Sequence, residues 1–514
     1  MRPSASVAVP AVLLAAFVAL AADGTPSAPA TTRAVTFADD IAPLVFAKCT
    51  ACHRPGEAAP FALLGYDDVK KRAATIREVL ESRYMPPWHP DAGWGAFKDE
   101  LRLGDDEIAR FTTWIDAGMP AGDASHTPPV PKFAEGWQLG PPDLVVTMDK
   151  AFEVPAGGPD VYRNFTLPLK LEQDQWVTAV EVRPAARKVV HHVLFFLDDS
   201  GDAREREGKD GAAGFRGMGF KRSGSLGGWA VGAIPRRLPE GLAMPLPKGS
   251  DLVLQTHFHP SGKPEQEKTT VGIYFAKEPP KRTLVGLQLP PLFGRLANLD
   301  IPAGEKQYAL KDSITLPCDT DVINVGGHAH YLGKTMKAIA TLPDEKHTEV
   351  KLFSISEWDF NWQGRYEYAE APRLPKGTRI DVEITYDNSA DNPHNPHNPP
   401  RRVKWGIESE DEMGSVTFAL VPVDEKDKKV LQRAAGGLFG GSLGGLVGGG
   451  SGNMAERLAG LDVNGDGKIQ RDEVPEVFRG MFDRLDPNGD GVIDEKEIAA
   501  LQKAREGRGK RRKE

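Results

Sequence analysis

Two histidines separated by one residue, His328 and His330, follow the segment 321–325, which is rich in β-branched residues. Residues two apart on a β-strand point to the same face, so this spacing predicts two imidazoles that can bind one metal ion. Two such histidines can equally be ordinary hydrogen-bonded residues, so further ligands are needed. Met413 follows later in the chain. Imidazole with thioether is a ligand set suited to copper, because soft sulfur favours Cu(I).

A second group of histidines lies upstream: the adjacent pair His191 and His192, followed by His257 and His259. Neighbouring residues on a regular strand point to opposite faces, so His191 and His192 can bind one ion only if the strand ends or bulges there. Otherwise one histidine packs and the other is free. Short β-rich runs broken by Gly, Pro and Asp continue from residue 143 onwards, which is typical of antiparallel sandwiches.

In this order the ligands resemble those of the copper type II, ascorbate-dependent monooxygenases, the peptidylglycine α-hydroxylating and dopamine β-monooxygenase family. The resemblance covers residues 143–424 and implies two jelly-roll-like β-sandwich domains, 143–285 and 286–424, separated by a solvent-accessible cleft. It implies an electron-transfer copper at one set of residues, and a catalytic, oxygen-activating copper at another. The first set is His191, His192 and His257, and the second is His328, His330 and Met413.

The resemblance does not extend to the residues that bind substrate. In the peptide-amidating branch an arginine and a tyrosine bind the peptide carboxylate, at positions where this chain has Gly326 and Thr417. Peptide amidation is therefore not expected, and the small-molecule substrate stays open. We expect His259 and Gln255 to orient a metal ligand rather than to bind the metal.

Near the N-terminus, Cys49, Cys52 and His53 form C-x-x-C-H, the signature of covalent haem c attachment with the histidine as axial ligand. A redox dithiol or a zinc half-site is the alternative, but no second cysteine pair accompanies this one. The surrounding residues 36–124 resemble a small class I cytochrome c. Its sixth ligand is expected to be Met85, with Met119 and His89 as alternatives.

Two D-x-N-x-D-G loops lie near the C-terminus, within residues 456–503. Oxygen ligands at EF-hand spacing with glycine at the sharp turn predict a pair of calcium sites, in which Ile469 and Ile493 pair the loops. The ligands of the first loop are Asp462, Asn464, Asp466, the carbonyl of Lys468, Gln470 and Glu473. Those of the second are Asp486, Asn488, Asp490, the carbonyl of Val492, Asp494 and Glu497.

The N-terminal segment suggests export, and the net charge argues against nucleic-acid binding. Residues 1–22 resemble a secretory signal peptide, with a retained anchor helix as the alternative, and no later segment is apolar enough to span a bilayer. Three cysteines exclude a disulfide framework, and the net charge of −8 gives no support to nucleic-acid partners. Residues 425–455 are predicted to be a Gly-rich linker.

These patterns predict the fold class and function together. The expected fold is multidomain, with an all-α cytochrome c domain, two antiparallel β-sandwiches and a small α EF-hand pair. The expected function is that of a periplasmic or extracellular copper monooxygenase. It would hydroxylate a C–H bond of a small substrate with O₂, with electrons reaching copper from an external donor through haem. The alternatives are an electron-transfer or metal-binding protein without oxygenase activity, and a calcium-controlled scaffold.

Overall fold

A computed structural model describes residues 33–57, 59–217, 219–295, 297–435, 467–471, 482, 486–494 and 496–497. The predicted signal peptide, residues 436–455 of the predicted linker and much of the EF-hand segment lie outside these ranges. Within them, no helix combines the length and the apolar character needed to cross a bilayer.

The α-helices among the described residues are short. They are α1 (Ala42–Lys48), α2 (Tyr66–Lys71), α3 (Ala73–Glu81), α4 (Asp105–Asp116), α5 (Asp202–Arg206) and α6 (Lys428–Ala434). The longest, α4, begins after Gly104, whose N–H donates to the Glu107 carboxylate at 2.8 Å. Three acidic residues in its first turn suit the positive end of the helix dipole. Phe111 and Trp114, three residues apart, are buried on its inner face.

The strands begin only after residue 143. Those before residue 284 are β1 (Leu144–Thr147), β2 (Phe152–Val154), β3 (Val161–Pro168), β4 (Gln175–Arg183), β5 (Val190–Asp198), β6 (Gly224–Ala230), β7 (Leu242–Leu246), β8 (Asp251–Phe258), β9 (Glu265–Glu267), β10 (Thr270–Phe275) and β11 (Arg282–Thr283). Those after it are β12 (Val285–Leu289), β13 (Asp300–Ile301), β14 (Tyr308–Thr315), β15 (Thr320–Ala329), β16 (Gly333–Thr341), β17 (Glu349–Ile355), β18 (Arg365–Glu367), β19 (Arg373–Leu374), β20 (Arg379–Tyr386), β21 (Val403–Lys404), β22 (Gly414–Pro422), β23 (Ile469–Gln470) and β24 (Val492–Ile493).

The predicted fold class is wrong. In the part of the chain that the structure describes, β-sheet predominates and is divided among several small sheets, and six short α-helices form no large all-α domain. Residues 82–104 contain no helix. This segment extends away from the N-terminal helices, and its side chains pack on strands of the C-terminal half. The physical reason is that Trp88 and Phe97 find apolar partners there, including Tyr366 and Tyr368.

Two antiparallel sheets lie before residue 284. One has the order β1-β10-β4-β7, with β11 parallel to β7, and the other has the order β3-β8-β5-β6. Alternate residues of both sheets point into one apolar cluster that contains Val177, Ile273, Phe195 and Leu254. This burial fixes the register of β5 and β8, the two strands that carry the upstream histidines.

Two further sheets lie after residue 284. One has the order β12-β22-β15-β18, and the other β14-β20-β16-β17. Their shared apolar cluster includes Val325, Phe418, Ile384 and Phe353. Helix α6 adds buried Leu431 to this cluster, so residues 428–434 of the predicted linker pack on the sheet.

The two halves touch through side chains of both. Leu242 of β7, Ile323 of β15 and Val421 of β22 form a small buried apolar cluster between them. On the C-terminal half, β15 and β22 pair over almost their whole length. That pairing places His328 on β15 beside Ser415 on β22, which is two residues from Met413.

Candidate functional site: two histidine groups that face each other

The strand that carries His191 and His192 bulges at that point. Pairing of β5 with β8 runs from Val190 opposite Phe258 to His192 opposite His257, which leaves His191 as the extra residue. On a regular strand one of the two histidines would point to the face opposite His257. The bulge reorients the side chain of His191, so both histidines can face His257. The prediction that the strand must end or bulge here is confirmed.

The ring nitrogens of these three histidines converge. His191 Nδ1 lies 3.1 Å from His257 Nδ1 and 3.3 Å from His192 Nδ1, and the ligand atoms of all three lie within 4.8 Å of one another. The Nε2 of His191 contacts the carbonyl of Asn361 at 3.1 Å, and that of His257 contacts a carboxylate oxygen of Asp160 at 2.8 Å. Both Nε2 atoms must therefore carry hydrogen, because oxygen acceptors face them. Two unprotonated Nδ1 atoms are left facing each other.

Burial keeps these rings neutral. It lowers the pKa of His191 to about 3, with the charge of His257 adding to the effect, and it lowers the pKa of His192 well below the ordinary value. Burial also lowers the pKa of His257, partly offset by Asp160. Neutral imidazoles with convergent lone pairs repel one another unless a cation lies between them. Three neutral imidazoles with ring nitrogens this close together could hold a metal ion.

Asp160 holds His257 in place. Its carboxylate also accepts from His259 Nδ1 and from Ser409 Oγ, each at 2.8 Å. Burial raises the pKa of Asp160, but the hydrogen bond and charge of His257, with the bonds from Ser409 and His259, outweigh burial and hold that pKa well below its usual range. The Tyr162 ring stacks on His257 with centroids 4.2 Å apart. A carboxylate behind a ligand histidine fixes its tautomer and ring orientation.

In the second histidine group, His328 and His330, the unprotonated ring nitrogen is Nε2 rather than Nδ1. His328 Nδ1 contacts Gln363 Oε1 at 2.5 Å, and His330 Nδ1 contacts the carbonyl of Asp411 at 3.1 Å. Both Nδ1 atoms therefore carry hydrogen and both Nε2 atoms are free to bind a metal. Burial lowers the pKa of His328 to about 4 and that of His330 to about 3, so both rings are neutral near pH 7.

Glu412 ties Met413 to this group. Its fully buried carboxylate accepts backbone N–H groups from His330, Leu332 and Met413 at 2.5, 2.9 and 2.8 Å. Burial raises the pKa of Glu412 to about 8, although the three N–H groups act in the opposite direction. Tyr386 donates its hydroxyl to the Met413 carbonyl at 3.0 Å. Met413 is thus held against the strand end that carries the histidine pair.

The two groups face each other across a narrow space. The His192 and His328 rings lie 6.2 Å apart, and Phe360 contacts His191, His257 and His330. A cavity of about 40 Å³ lies between the groups, lined by Tyr162, Asn164, His192, Leu194, Gly217, Gln255, Phe293, His328, His330, Ile407 and Met413. Of the residues expected to orient ligands, Gln255 lines this cavity, and His259 reaches His257 only through Asp160. The solvent-accessible cleft that the resemblance implied between the halves stays a prediction, and the space between the two groups is narrow.

The C-x-x-C-H residues lie at the end of α1. Cys49 and Cys52 are free thiols, and burial raises the pKa of Cys49 to about 12. His53 Nδ1 contacts the Phe61 carbonyl at 3.1 Å and so carries hydrogen, which leaves Nε2 free, the tautomer an axial haem ligand needs.

The expected sixth haem ligand has competitors in the structure. Met119 packs on the same N-terminal core as Cys49, whereas Met85 is not among the residues of that core. The Nε2 of His89 is buried without a hydrogen-bond partner among the described residues. The expectation that Met85 is the sixth ligand stays a prediction.

The second EF-hand loop is described at all six ligand positions. Asp486 accepts N–H groups from Gly489, Asp490 and Gly491, and Glu497 accepts from Asp494 at 3.1 Å. In the first loop, Lys468 and Gln470 are described, while Asp462, Asn464, Asp466 and Glu473 lie outside the described residues. Ile469 pairs with Ile493 across β23 and β24, as predicted.

Four residues of the site escaped sequence reasoning: Asp160, Phe360, Gln363 and Glu412. None belongs to a recognisable ligand spacing, and Phe360 and Gln363 lie in a loop far along the chain from the histidines they contact. Only Glu412 had a usable signal, as an acidic residue directly before a candidate methionine ligand.

Comparison with known proteins adds one firm result. The EF-hand family matches residues 461–474 and 478–501, and no curated protein matches the chain. Among solved structures, the VP2 subviral particle of infectious bursal disease virus is 8% identical, with 56% of this chain and 74% of that chain covered and a TM-score of 0.17. Peptide N-glycanase F is 11% identical, with 55% and 96% covered and a TM-score of 0.22. Likeness this low carries no argument. The family match extends over the two calcium loops, and the chain carries an EF-hand pair in its C-terminal segment.

Proposed function

We propose that this chain is an exported copper protein that hydroxylates a C–H bond of a small molecule with O₂. One oxygen atom would enter the C–H bond and the other would leave as water, at the expense of two electrons and two protons. The observation that carries the proposal is the pair of facing, unprotonated Nδ1 atoms of His191 and His257, 3.1 Å apart. A bound cation would make that arrangement favourable, and imidazole nitrogens suit copper among other transition metals.

The residues present fit two metal ions of different character. His191, His192 and His257 offer three nitrogens, whereas His328 and His330 offer two nitrogens beside the thioether of Met413. Copper bound at the second group would supply one-electron chemistry toward O₂, because a thioether favours the cuprous state. Asp160, Gln363 and Glu412 position the ligands, and the rings of Phe293 and Phe360 pack against His328 and His330.

The side chains of the N-terminal C-x-x-C-H segment have the chemistry that covalent haem attachment needs. Two free thiols in C-x-x-C-H and an imidazole with Nε2 unprotonated match the requirements of a covalent haem. We include haem in the proposal as the electron donor to the copper sites, itself reduced by an external donor. Calcium would bind the EF-hand pair.

A second candidate function is electron transfer without oxygenation. The space between the two groups, about 40 Å³, has room for a small molecule such as O₂ but not for an organic substrate. An oxygenase would need the halves to separate or side chains to turn before substrate enters.

Copper counting with site variants tests the proposal. Purified full-length protein should bind two copper ions, and Met413→Ala should weaken only the second site while His191→Ala weakens only the first. The substitution Met244→Ala, in a partly buried methionine of β7, is the matched control for Met413→Ala and should keep both ions. O₂ consumption with a panel of small substrates then separates the two functions: product-coupled uptake marks an oxygenase. Two full-affinity ions in both site variants would disprove the ligand assignment.

A further inference from the structure

The C-x-x-C-H segment lies directly against the strands that carry His191 and His192. A Cβ placed on Gly232 would lie 3.9 Å from Cys52 Sγ, so this thiol lies beside the turn that follows β6. Gly232 has φ of +83°, a conformation that favours glycine. The thiol therefore faces bare backbone at this point of the turn.

That turn is bonded to the histidine pair. Val231 donates its N–H to the His191 carbonyl at 3.2 Å, and Ala230 pairs with His192 across β6 and β5. The turn closes with a hydrogen bond from the Ala233 N–H to the Ala230 carbonyl at 3.0 Å. Two short steps thus separate Cys52 from the first histidine group: the gap between its Sγ and the backbone of Gly232, and the hydrogen bond from Val231 to His191.

An ion pair holds the two surfaces together. Arg187, four residues before His191, pairs with Glu57, four residues after His53. Their side chains are 21% and 16% exposed, so solvent screens the pair less than it would at an open surface. Arg54 also contacts Glu57, at 3.0 Å. The loop that carries Arg187 is fastened beside the site, because His259 donates its N–H to the Val189 carbonyl at 2.8 Å.

We infer that the contact of Cys52 with Gly232, clamped by Arg187 and Glu57, is the route by which an electron passes from the C-x-x-C-H segment to the first histidine group. This inference rests on the proposed function and adds the path and its clamp. A haem held by Cys49, Cys52 and His53 would give up one electron, and a copper ion held by His191, His192 and His257 would accept it, with no proton transferred. Electron tunnelling falls steeply with distance and with gaps across space, so a covalent and hydrogen-bonded path with one short contact is favoured.

The route differs from delivery by a loosely tethered donor. A flexible tether would make transfer depend on encounters between two mobile surfaces. A clamped contact makes it depend on one ion pair. Arg187→Gln and Glu57→Gln should then each slow electron transfer, while the exchanged pair Arg187→Glu with Glu57→Arg should restore it.

The test is rapid-reaction spectroscopy on the full-length protein loaded with haem and copper. Haem is reduced by a flash-generated electron, and its reoxidation by copper is followed by absorbance. Each single variant should slow reoxidation at least tenfold, and the exchanged pair should recover most of the rate. Glu367→Gln is the matched control, since it breaks the Lys98–Glu367 ion pair that joins the same N-terminal segment to the other half. It should leave the rate unchanged.

Hydrogen exchange gives a second readout that does not involve copper. In copper-free protein, amides of residues 231–233 should exchange faster in Arg187→Gln than in the wild type, and not in Glu367→Gln. Unchanged reoxidation rates in both single variants, or equal slowing in Glu367→Gln, would overturn the inference. Haem and copper contents are measured first in every variant, so a protein that binds neither overturns the proposed function itself and not merely the route.

Discussion

Asp160 and His257 are joined by a 2.8 Å hydrogen bond from the imidazole Nε2 to the carboxylate. The bond decides which nitrogen of His257 faces the other two histidines. It also connects the halves of the molecule, because Ser409 donates to the same carboxylate oxygen of Asp160. The geometry of the first histidine group therefore depends on a carboxylate that binds no metal itself.

Asp160→Asn should weaken copper binding at the first histidine group about 10- to 100-fold, as removal of a carboxylate behind a metal ligand commonly does. The second group should keep its ion. Copper titration followed by electron paramagnetic resonance would measure both. Ser409→Ala is the control, because it removes one donor and leaves the carboxylate on His257. Equal affinity in Asp160→Asn and wild type would show that His257 is oriented by other contacts, such as the Tyr162 stack.

Glu412→Gln should destabilise the protein by about 1–3 kcal/mol, because an amide nitrogen would face at least one of three N–H donors in a buried position. It should also weaken copper binding at the second group, since Glu412 holds the backbone of both His330 and Met413. Urea unfolding and copper titration measure the two effects. Glu410→Gln, which breaks an exposed ion pair with Arg401, should change neither. Loss of stability with unchanged copper affinity would limit Glu412 to a structural role.

Copper-free protein should lose stability as pH falls below about 6.5. The histidines of both groups are buried and neutral, and the pKa of His191 and His330 is lowered to about 3 and that of His328 to about 4. Unfolded chains bind protons at these rings first, so the contribution of the histidines to stability is full above the ordinary pKa of 6.5 and is lost as pH falls toward 4. Each histidine contributes a slope of up to ~1.4 kcal/mol per pH unit.

Urea midpoints between pH 7.5 and 4.5 would measure this dependence. His330→Asn should flatten it, whereas replacement of exposed His394 by Asn should not. Copper should abolish much of the dependence, because the metal occupies the nitrogens that would otherwise be protonated. A flat profile in the copper-free wild type would contradict the neutral, buried state of these rings.

Calcium should bind the C-terminal loops without altering metal binding at the two histidine groups. Glu497→Gln removes a carboxylate at position twelve of the second loop and should weaken calcium binding there about tenfold or more. Glu495→Gln, at a position that supplies no ligand, is the control. Calorimetry would measure the affinities, and melting curves would locate the effect. A chain that ends at Ala435 keeps buried Leu431 and should show no calcium-dependent rise in melting temperature.

The sequence by itself determined the local ligand patterns. The two-residue period of a strand placed His328 and His330 on one face, and EF-hand spacing placed the calcium ligands and paired Ile469 with Ile493. It also indicated that the strand must end or bulge at His191 if both histidines bind one ion, because two adjacent strand residues cannot otherwise share a face, and the structure has the bulge. These features depend on backbone geometry over a few residues, so nothing distant was needed to predict them.

Only the tertiary structure decided the rest. Short apolar segments around Trp88 and Phe97 could pack on helices or on a sheet, and the aromatic partners on the C-terminal half decided against the all-α domain. The distance between the histidine groups, the choice of Nδ1 or Nε2, and the contact of Cys52 with Gly232 arise from residues that lie far apart in the chain. Strand periodicity limits which face a side chain occupies, but packing of whole sheets decides what that face meets.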